Sequence, residues 1–227
     1  MKNDSDSLEK KIGHIFKNKD LYTEALTHSS YANEKKTGAS NERLEFLGDA
    51  VLELIITEYL FGKYPQAPEG VLTNLRSIVV CEKSLHRAAL DINLGEFLLF
   101  GVGETQSGGK NKPSILADAF EALLGAVFLD GGYRSAKKFC FKLLKENIKI
   151  AGERERNDNK QILRKVLSRD DILFTIVFEK GPDHEKLFGA NAEINGKIVG
   201  YGEGKSKKEA EQNAAKNALL AEGVNVL

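Results

Sequence analysis

A chain of 227 residues, 41% hydrophobic and 29% charged, with 33 basic and 33 acidic residues for a formal net charge of zero, is long enough to bury a substantial core in one or two domains. The N-terminal MKNDSDSLEK lacks the basic start and apolar core of a secretory signal, and no apolar run approaches the roughly 18 residues of a membrane span, so a soluble, cytoplasmic protein is expected. Zero net charge argues against a globally basic nucleic-acid binder while leaving room for a local basic patch, and Cys81 and Cys140, without CxxC or Cys/His spacing, argue against zinc and read as buried or partly buried free thiols.

From Leu8 to about Ile150, apolar residues recur at three- and four-residue spacing, which predicts helices interrupted at Gly38, Pro65, Pro68 and the stretch GETQSGGKNKP. Within NERLEFLGDAVLELIITEYLF (41–61), helical geometry gathers Leu44, Leu47, Val51, Leu54 and Ile55 on one apolar face. Glu42, Glu45 and Asp49 fall within about 60° of one another on the opposite side. That side is not plainly polar, because Phe46, Leu52 and Ile56 carry apolar surface around the cylinder. A second segment, SILADAFEALLGAVFLD (114–130), is apolar almost all round yet bears Asp118 and Glu121 three residues apart.

Such helices belong in a core, where an unpaired carboxylate costs several kcal/mol or shifts its pKa. The bland resolution is a set of Arg or Lys partners from elsewhere in the fold, or a solvated groove. The alternative is that a helix crossing brings Glu45, Asp49, Asp118 and Glu121 into one all-oxygen cluster, the ligand set that Mg²⁺ prefers. Mg²⁺ at such a site most often meets a phosphate, where it neutralises charge and lowers the pKa of water, so phosphodiester hydrolysis leads on chemistry alone.

The polar AGERERNDNK (151–160) reads as a linker, giving a helical domain at 1–150, a linker at 151–156 and a second domain at 157–227. The second domain opens with a helix-like KQILRKVLS, followed by ILFTIVFE, in which Ile172, Phe174, Ile176 and Phe178 alternate as a half-buried strand requires. Two further strands flank Asn195-Gly196, a dipeptide favoured in two-residue hairpin turns. The last helix opens with Ser206 and Glu209 at capping-box spacing. The order is α-β-β-β-α. Lys205, Lys207 and Lys208 crowd that helix's N-terminus, where their charges oppose the macrodipole unless an anion arrives.

NERLEFLGDAVLEL resembles the signature of ribonuclease III, the endonuclease of double-stranded RNA, and ILADAFEALLGAVFLDGG resembles its second acidic motif. LTHSSYANE (26–34), YPQAPEG (64–70) and LTNLRSIVV (72–80) fit the same family in the same order, and the resemblance covers nearly the whole chain. It implies an all-α nuclease domain followed by a small α+β double-stranded RNA-binding domain, in a homodimer. Glu45, Asp49, Asp118 and Glu121 are implied as the catalytic quartet, with Glu45, Asp118 and Glu121 as Mg²⁺ ligands. Glu42 and Glu69 match supporting acids, and Phe46 matches a side chain that enters the partner subunit. GPDH (181–184) and GKIVGYGEGKSKKEAEQNAAKNAL imply RNA contacts by His184, Lys205, Lys207 and Lys208. Arg164 and Lys165 replace the family's usual Gln-Glu pair, which points to a more phosphate-directed grip by the first helix. The implied activity is Mg²⁺-dependent hydrolysis of duplex RNA to 5′-phosphate and 3′-hydroxyl ends, on ribosomal RNA precursors and other structured transcripts, with no small-molecule cofactor and no membrane partner. The rival readings are a protein that grips duplex RNA without cutting it and, more weakly, a Mg²⁺ hydrolase of small phosphorylated molecules. His14, His28 and His86 lack a second ligand at suitable spacing and are expected to be structural.

Overall fold

The computed structural model describes residues 8–36, 38–156, 158–169, 171–182 and 185–224. The chain divides into two compact units, one ending at Ala151 and the other beginning at Gly152. The first is built from helices: residues 8–12 (α1), Lys19–Ala25 (α2), Ser29–Lys35 (α3), Glu42–Lys63 (α4), Glu69–Val80 (α5), Glu82–Asp91 (α6), Val102–Gln106 (α7), Pro113–Leu143 (α8) and the part of Lys145–Arg156 (α9) up to Ala151. Among its described residues, strand pairing is limited to one bridge between Thr27 and Leu99. Residues 151–156, expected as a linker, are helical and end α9. Among the described residues, no helix is long and apolar enough to cross a membrane.

Helix α8 starts with Pro113 at its first position, where a missing N–H costs nothing. Its first half is buried on nearly every side, through Leu116, Ala117, Ala119, Phe120 and Ala122 to Val127, and α2, α4 and α6 pack around it. The helix breaks at Gly132, whose φ of 70° and ψ of −177° are open essentially to glycine alone. Just before the break, Asp130 accepts hydrogen bonds from His14 Nε2 (2.8 Å), Lys17 N (3.1 Å) and Asn18 N (2.8 Å), tying the turn between α1 and α2 to α8. These bonds hold the Asp130 carboxyl below its ordinary pKa and give His14 the structural place expected of it.

Helix α4 turns Leu44, Gly48, Val51, Leu52, Ile55, Ile56 and Leu60 inward. This corrects the expected core face. Leu52 and Ile56 are inside, whereas Leu54 is 58% exposed and shares an outward stripe with Phe46 (82%) and Phe61 (72%). The acids therefore border the core face instead of opposing it. Cys81 is a second correction: it occupies the extended corner between α5 and α6 and is exposed, while Cys140 is buried in the core, which pushes its thiol up to about 12.

In the second unit, Asn159–Leu167 (α10) precedes Leu173–Lys180 (β1), Leu187–Ile194 (β2) and Lys197–Gly204 (β3), an antiparallel sheet in that order, and Lys207–Ala221 (α11) closes it. Asn195 and Gly196 have φ of 51° and 76°, as a two-residue turn with both centres left-handed demands. Alternate glycines in β3 let α11 lie directly on the sheet: a methyl group at Gly200 or Gly202 would overlap the backbone of Ala214. Ala210, Ala214, Ala215 and Ala218 supply the matching small face. Asn213 and Asn217 donate to the carbonyls of Glu203 (2.7 Å) and Tyr201 (2.8 Å), covering the edge of β3. In β1 the expected alternation stops at a bulge between Ile176 and Phe178, so that Phe178 pairs with Gly189 and lays its ring over it on the face away from the helices.

Gly202→Ala should therefore destabilise the second unit by about 1–3 kcal/mol through overpacking. Amide hydrogen exchange of the full chain should show faster exchange in β3 and α11 with protection of α4 and α8 unchanged; equal protection in β3 would contradict the packing described.

Candidate functional site

The two long helices of the first unit cross at a pair of glycines. A methyl group on Gly48 would overlap the carbonyl oxygen of Glu121 and stand 3.1 Å from the nitrogen of Gly125. One on Gly125 would overlap the carbonyl of Leu44. Backbone thus meets backbone, and side chains one turn from the crossing are drawn together. Glu45, one turn before Gly48, joins Asp118 and Glu121 from α8, and one carboxylate oxygen from each lies within 4.8 Å of the others. All three are half-buried.

Asp49 lies outside this trio and is exposed, although its negative charge acts on both Glu45 and Glu121. None of these four carboxylates has an ion pair with a described cation. Burial pushes Glu121 up to about 8, and the charges of Asp49, Asp118, Glu45 and Glu53 reinforce the effect. Glu45 is raised by burial first, then by Asp118, Glu42 and Asp49. Asp118 is raised by burial and by Glu82, against a smaller opposing effect from His28. Three half-buried, unneutralised carboxylates at this spacing are a hard-oxygen donor set that fits a divalent cation such as Mg²⁺.

Glu42 and Glu69, the two acids expected to support the site, sit at helix starts. Glu42 opens α4, is exposed and accepts from Ser40 Oγ (3.0 Å). Glu69 is the first residue of α5, with Pro68 as the N-cap; it accepts from Thr73 Oγ1 (2.8 Å). Two acids escaped the sequence reading. Glu53 continues the 42, 45, 49 spacing by one more turn and pairs with Arg76 Nη1 at 3.0 Å, so the spacing itself was a signal. Glu82, at the start of α6, reaches Asp118 only through the tertiary fold, and no local pattern marks it.

In the second unit, Ser206 caps α11 by accepting from Glu209 N (3.2 Å), one half of the expected capping box, while the Glu209 carboxylate accepts from Lys205 N (2.7 Å), one residue before the cap, in place of Ser206 N. Lys205, Lys207 and Lys208 are exposed there; Lys207 Nζ stands 3.9 Å from Glu179 Oε2 and 5.9 Å from the centre of the Phe188 ring. Arg164 on α10 is half-buried, and its Nε is buried without a hydrogen-bond partner among the described residues. Its neighbour Lys160 is engaged by Glu211 Oε2 at 2.5 Å and lies 4.4 Å from the centre of the Phe174 ring. His184 lies outside the described residues.

With its pKa near 8, Glu121 carries a proton at neutral pH in the metal-free protein. Because the folded value lies above the ordinary carboxylate value of 4.5, this group favours the folded state most at low pH and loses that contribution as pH rises through about 8. A cation must displace the same proton. Calorimetric titration should show Mg²⁺ affinity rising up to about tenfold per pH unit between pH 6 and 8, then levelling, with close to one proton released at pH 7. Affinity independent of pH across this range would contradict the assignment.

The helical unit matches the family model "Ribonuclease-III-like" over residues 18–148, and the second unit matches "Double-stranded RNA binding motif" over residues 160–221. The chain is 47% identical over 219 residues to ribonuclease 3 of Pelotomaculum thermopropionicum, covering 94% of this chain and 91% of that protein. It is 48% identical over 219 residues to ribonuclease 3 of Desulforamulus reducens, covering 93% and 89%. The crystal structure of the nuclease domain of ribonuclease III from Campylobacter jejuni superposes with a TM-score of 0.60 at 48% identity, covering 65% of this chain and 97% of that domain. A second structure of that domain, described as flexible in the region involved in dimer formation, gives a TM-score of 0.59 at 48% identity, with coverage of 62% and 96%. A helical unit carrying convergent acids and a sheet-bearing unit with a lysine-rich helix start are thus the two parts of one architecture, and the chain belongs to the ribonuclease III family.

Proposed function

We propose that the protein is a Mg²⁺-dependent endoribonuclease that cleaves double-stranded RNA by hydrolysis, leaving 5′-phosphate and 3′-hydroxyl ends. The observation that carries this reading is the convergence of Glu45, Asp118 and Glu121 in a chain that also bears a double-stranded RNA binding motif. A cation held by these three supplies charge neutralisation at the scissile phosphate and a lowered water pKa. Glu45, Asp118 and Glu121 fix its position from two rigid helices. Asp49, exposed and without an ion pair to a described cation, would take a hydrogen bond from the attacking water and hold negative charge beside the three acids. Glu42 and Glu69 flank the substrate from the first turns of α4 and α5.

The outward stripe of Phe46, Leu54 and Phe61 supports a homodimer, since three exposed apolar side chains on one helix face are costly in water and gain by burial against a second copy. The Campylobacter jejuni structure, described by its own dimer-forming region, favours the same reading. In the second unit, Lys205, Lys207 and Lys208 take backbone phosphates at the N-terminus of α11, and Arg164 offers a desolvated donor from α10; His184, outside the described residues, is assigned to the same contact set from the sequence alone. Contacts of this kind read duplex shape and carry little sequence preference. The cellular setting is the cytoplasm, with ribosomal RNA precursors and other structured transcripts as substrates. A protein that only bound duplex RNA would have no use for three half-buried acids without counter-charges, which argues against the non-cleaving alternative.

Incubation of the purified dimer with long duplex RNA should give Mg²⁺-dependent fragments that chelator abolishes. Glu121→Gln should keep RNA binding and lose at least about a hundredfold in cleavage, the scale on which one preorganised charged group counts. Equal cleavage by this variant would remove Glu121 from the site, and absence of fragments from the unmodified dimer would sink the nuclease reading.

A further inference from the structure

Between the end of α3 and the start of α4 lies an open groove of about 550 Å³, in whose lining only Glu42 has an assigned role. Ser29, Asn33, Lys36, Ser40 and Glu42 line it. Its chemistry is uneven. Lys36 has no ion pair or side-chain hydrogen bond with any described residue, whereas the adjacent Lys35 is held by Glu34 at 2.9 Å. Asn33 likewise makes no side-chain hydrogen bond with a described residue. Lys36 also holds its backbone in the left-handed region, φ 54° and ψ 37°, with its N–H bonded to the carbonyl of Ala32. This is a common way for a helix to end, and glycine is the residue that adopts it most easily. The opposite side of the groove is Glu42, whose carboxylate already accepts from Ser40. Glu42 stands three residues before Glu45, about 4.5 Å along the axis of α4, and its charge acts on Glu45, so one wall of the groove borders the candidate cation site.

A polyanion laid along that strip meets net repulsion from every acid the cation does not neutralise, and phosphate contacts are what fix register on a duplex. We propose that this groove holds one backbone phosphate of the RNA strand being cut, beside the scissile one, with Lys36 as its ion partner and Asn33 and Ser29 as hydrogen-bond donors. Glu42 bars the phosphate from the α4 side and so directs it toward Lys36. The inference rests on the reading of the protein as a duplex-RNA nuclease and adds a positioning subsite to it.

The test uses the full-length dimer and a duplex RNA that it cuts. Lys36→Gly removes the charge while easing the backbone, since glycine tolerates the positive φ, so lost stability cannot account for its effect. Lys36→Gly and Lys36→Gln should each raise KM about tenfold with kcat within about twofold of the unmodified enzyme. Binding measured with Ca²⁺ in place of Mg²⁺ should show the slope of log affinity against log salt reduced in magnitude by about 0.7–0.9, the share of one phosphate. Lys36→Arg should restore both, and Asn33→Ala should raise KM without changing the slope. If the unmodified protein cuts duplex RNA while Lys36→Gly and Lys36→Gln keep its KM and slope, the subsite is wrong and the nuclease reading stands. If the unmodified protein neither binds nor cuts duplex RNA, the nuclease reading fails and the subsite falls with it.

Discussion

The contact between the backbones of α4 and α8 at Gly48 and Gly125 is the constraint on which the rest of the site depends. Two helices carrying ordinary side chains at a crossing keep their axes 8–10 Å apart. Here neither residue has a side chain, and each glycine stands where a methyl group would overlap a carbonyl oxygen of the other helix. That approach turns Leu52 and Ile56 into the core, leaves Phe46, Leu54 and Phe61 outside, and sets the acids on the seam between the two faces. Carboxylates from residues more than seventy positions apart in sequence converge because nothing at the crossing holds their helices away.

The convergence carries an electrostatic cost that the fold leaves unrelieved. Glu45, Asp118 and Glu121 are all pushed toward the protonated form, chiefly by burial and then by neighbouring carboxylates, and no described cation forms an ion pair with them. Elsewhere the same chain neutralises its acids readily. Glu9 is almost fully buried yet accepts from Phe16 N and Lys19 Nζ, both at 2.7 Å, and Asp130 takes three donors. The site therefore stands apart by lacking partners, which is what a cation site requires of a metal-free protein. The second unit uses the same device of small residues for a different end: glycines at 200, 202 and 204 and the alanines of α11 bring helix and sheet together and leave the lysine-bearing helix start in solvent.

Much of this was legible in the sequence, and the misses have physical causes. Acid spacing on two apolar helices announced the cluster, because helical periodicity fixes which residues share a side. Asn195-Gly196 and the Ser206/Glu209 pair announced a turn and a cap, because both depend on local backbone chemistry alone. Periodicity could not separate the core face of α4 from its outward apolar stripe, since both are built from large apolar residues and only the glycine contact chooses between them. Nor could it place Asp49 outside the trio, or bring Glu82 from another helix toward Asp118. The bulge that reverses Phe178 depends on the pairing of β1 with β2, which no pattern within β1 records.

The central claim is that the glycine crossing, more than the acids by themselves, makes the metal site. Calorimetric titration of Mg²⁺ at pH 8 into the unmodified protein, Gly48→Ala and Gly125→Ala tests it most directly, with helical content followed by circular dichroism. The account predicts that either methyl group parts the helices and weakens Mg²⁺ binding by at least about tenfold, the scale of disturbances that misplace otherwise intact ligands, while helical content is retained. Unchanged Mg²⁺ affinity in folded Gly48→Ala and Gly125→Ala would contradict it.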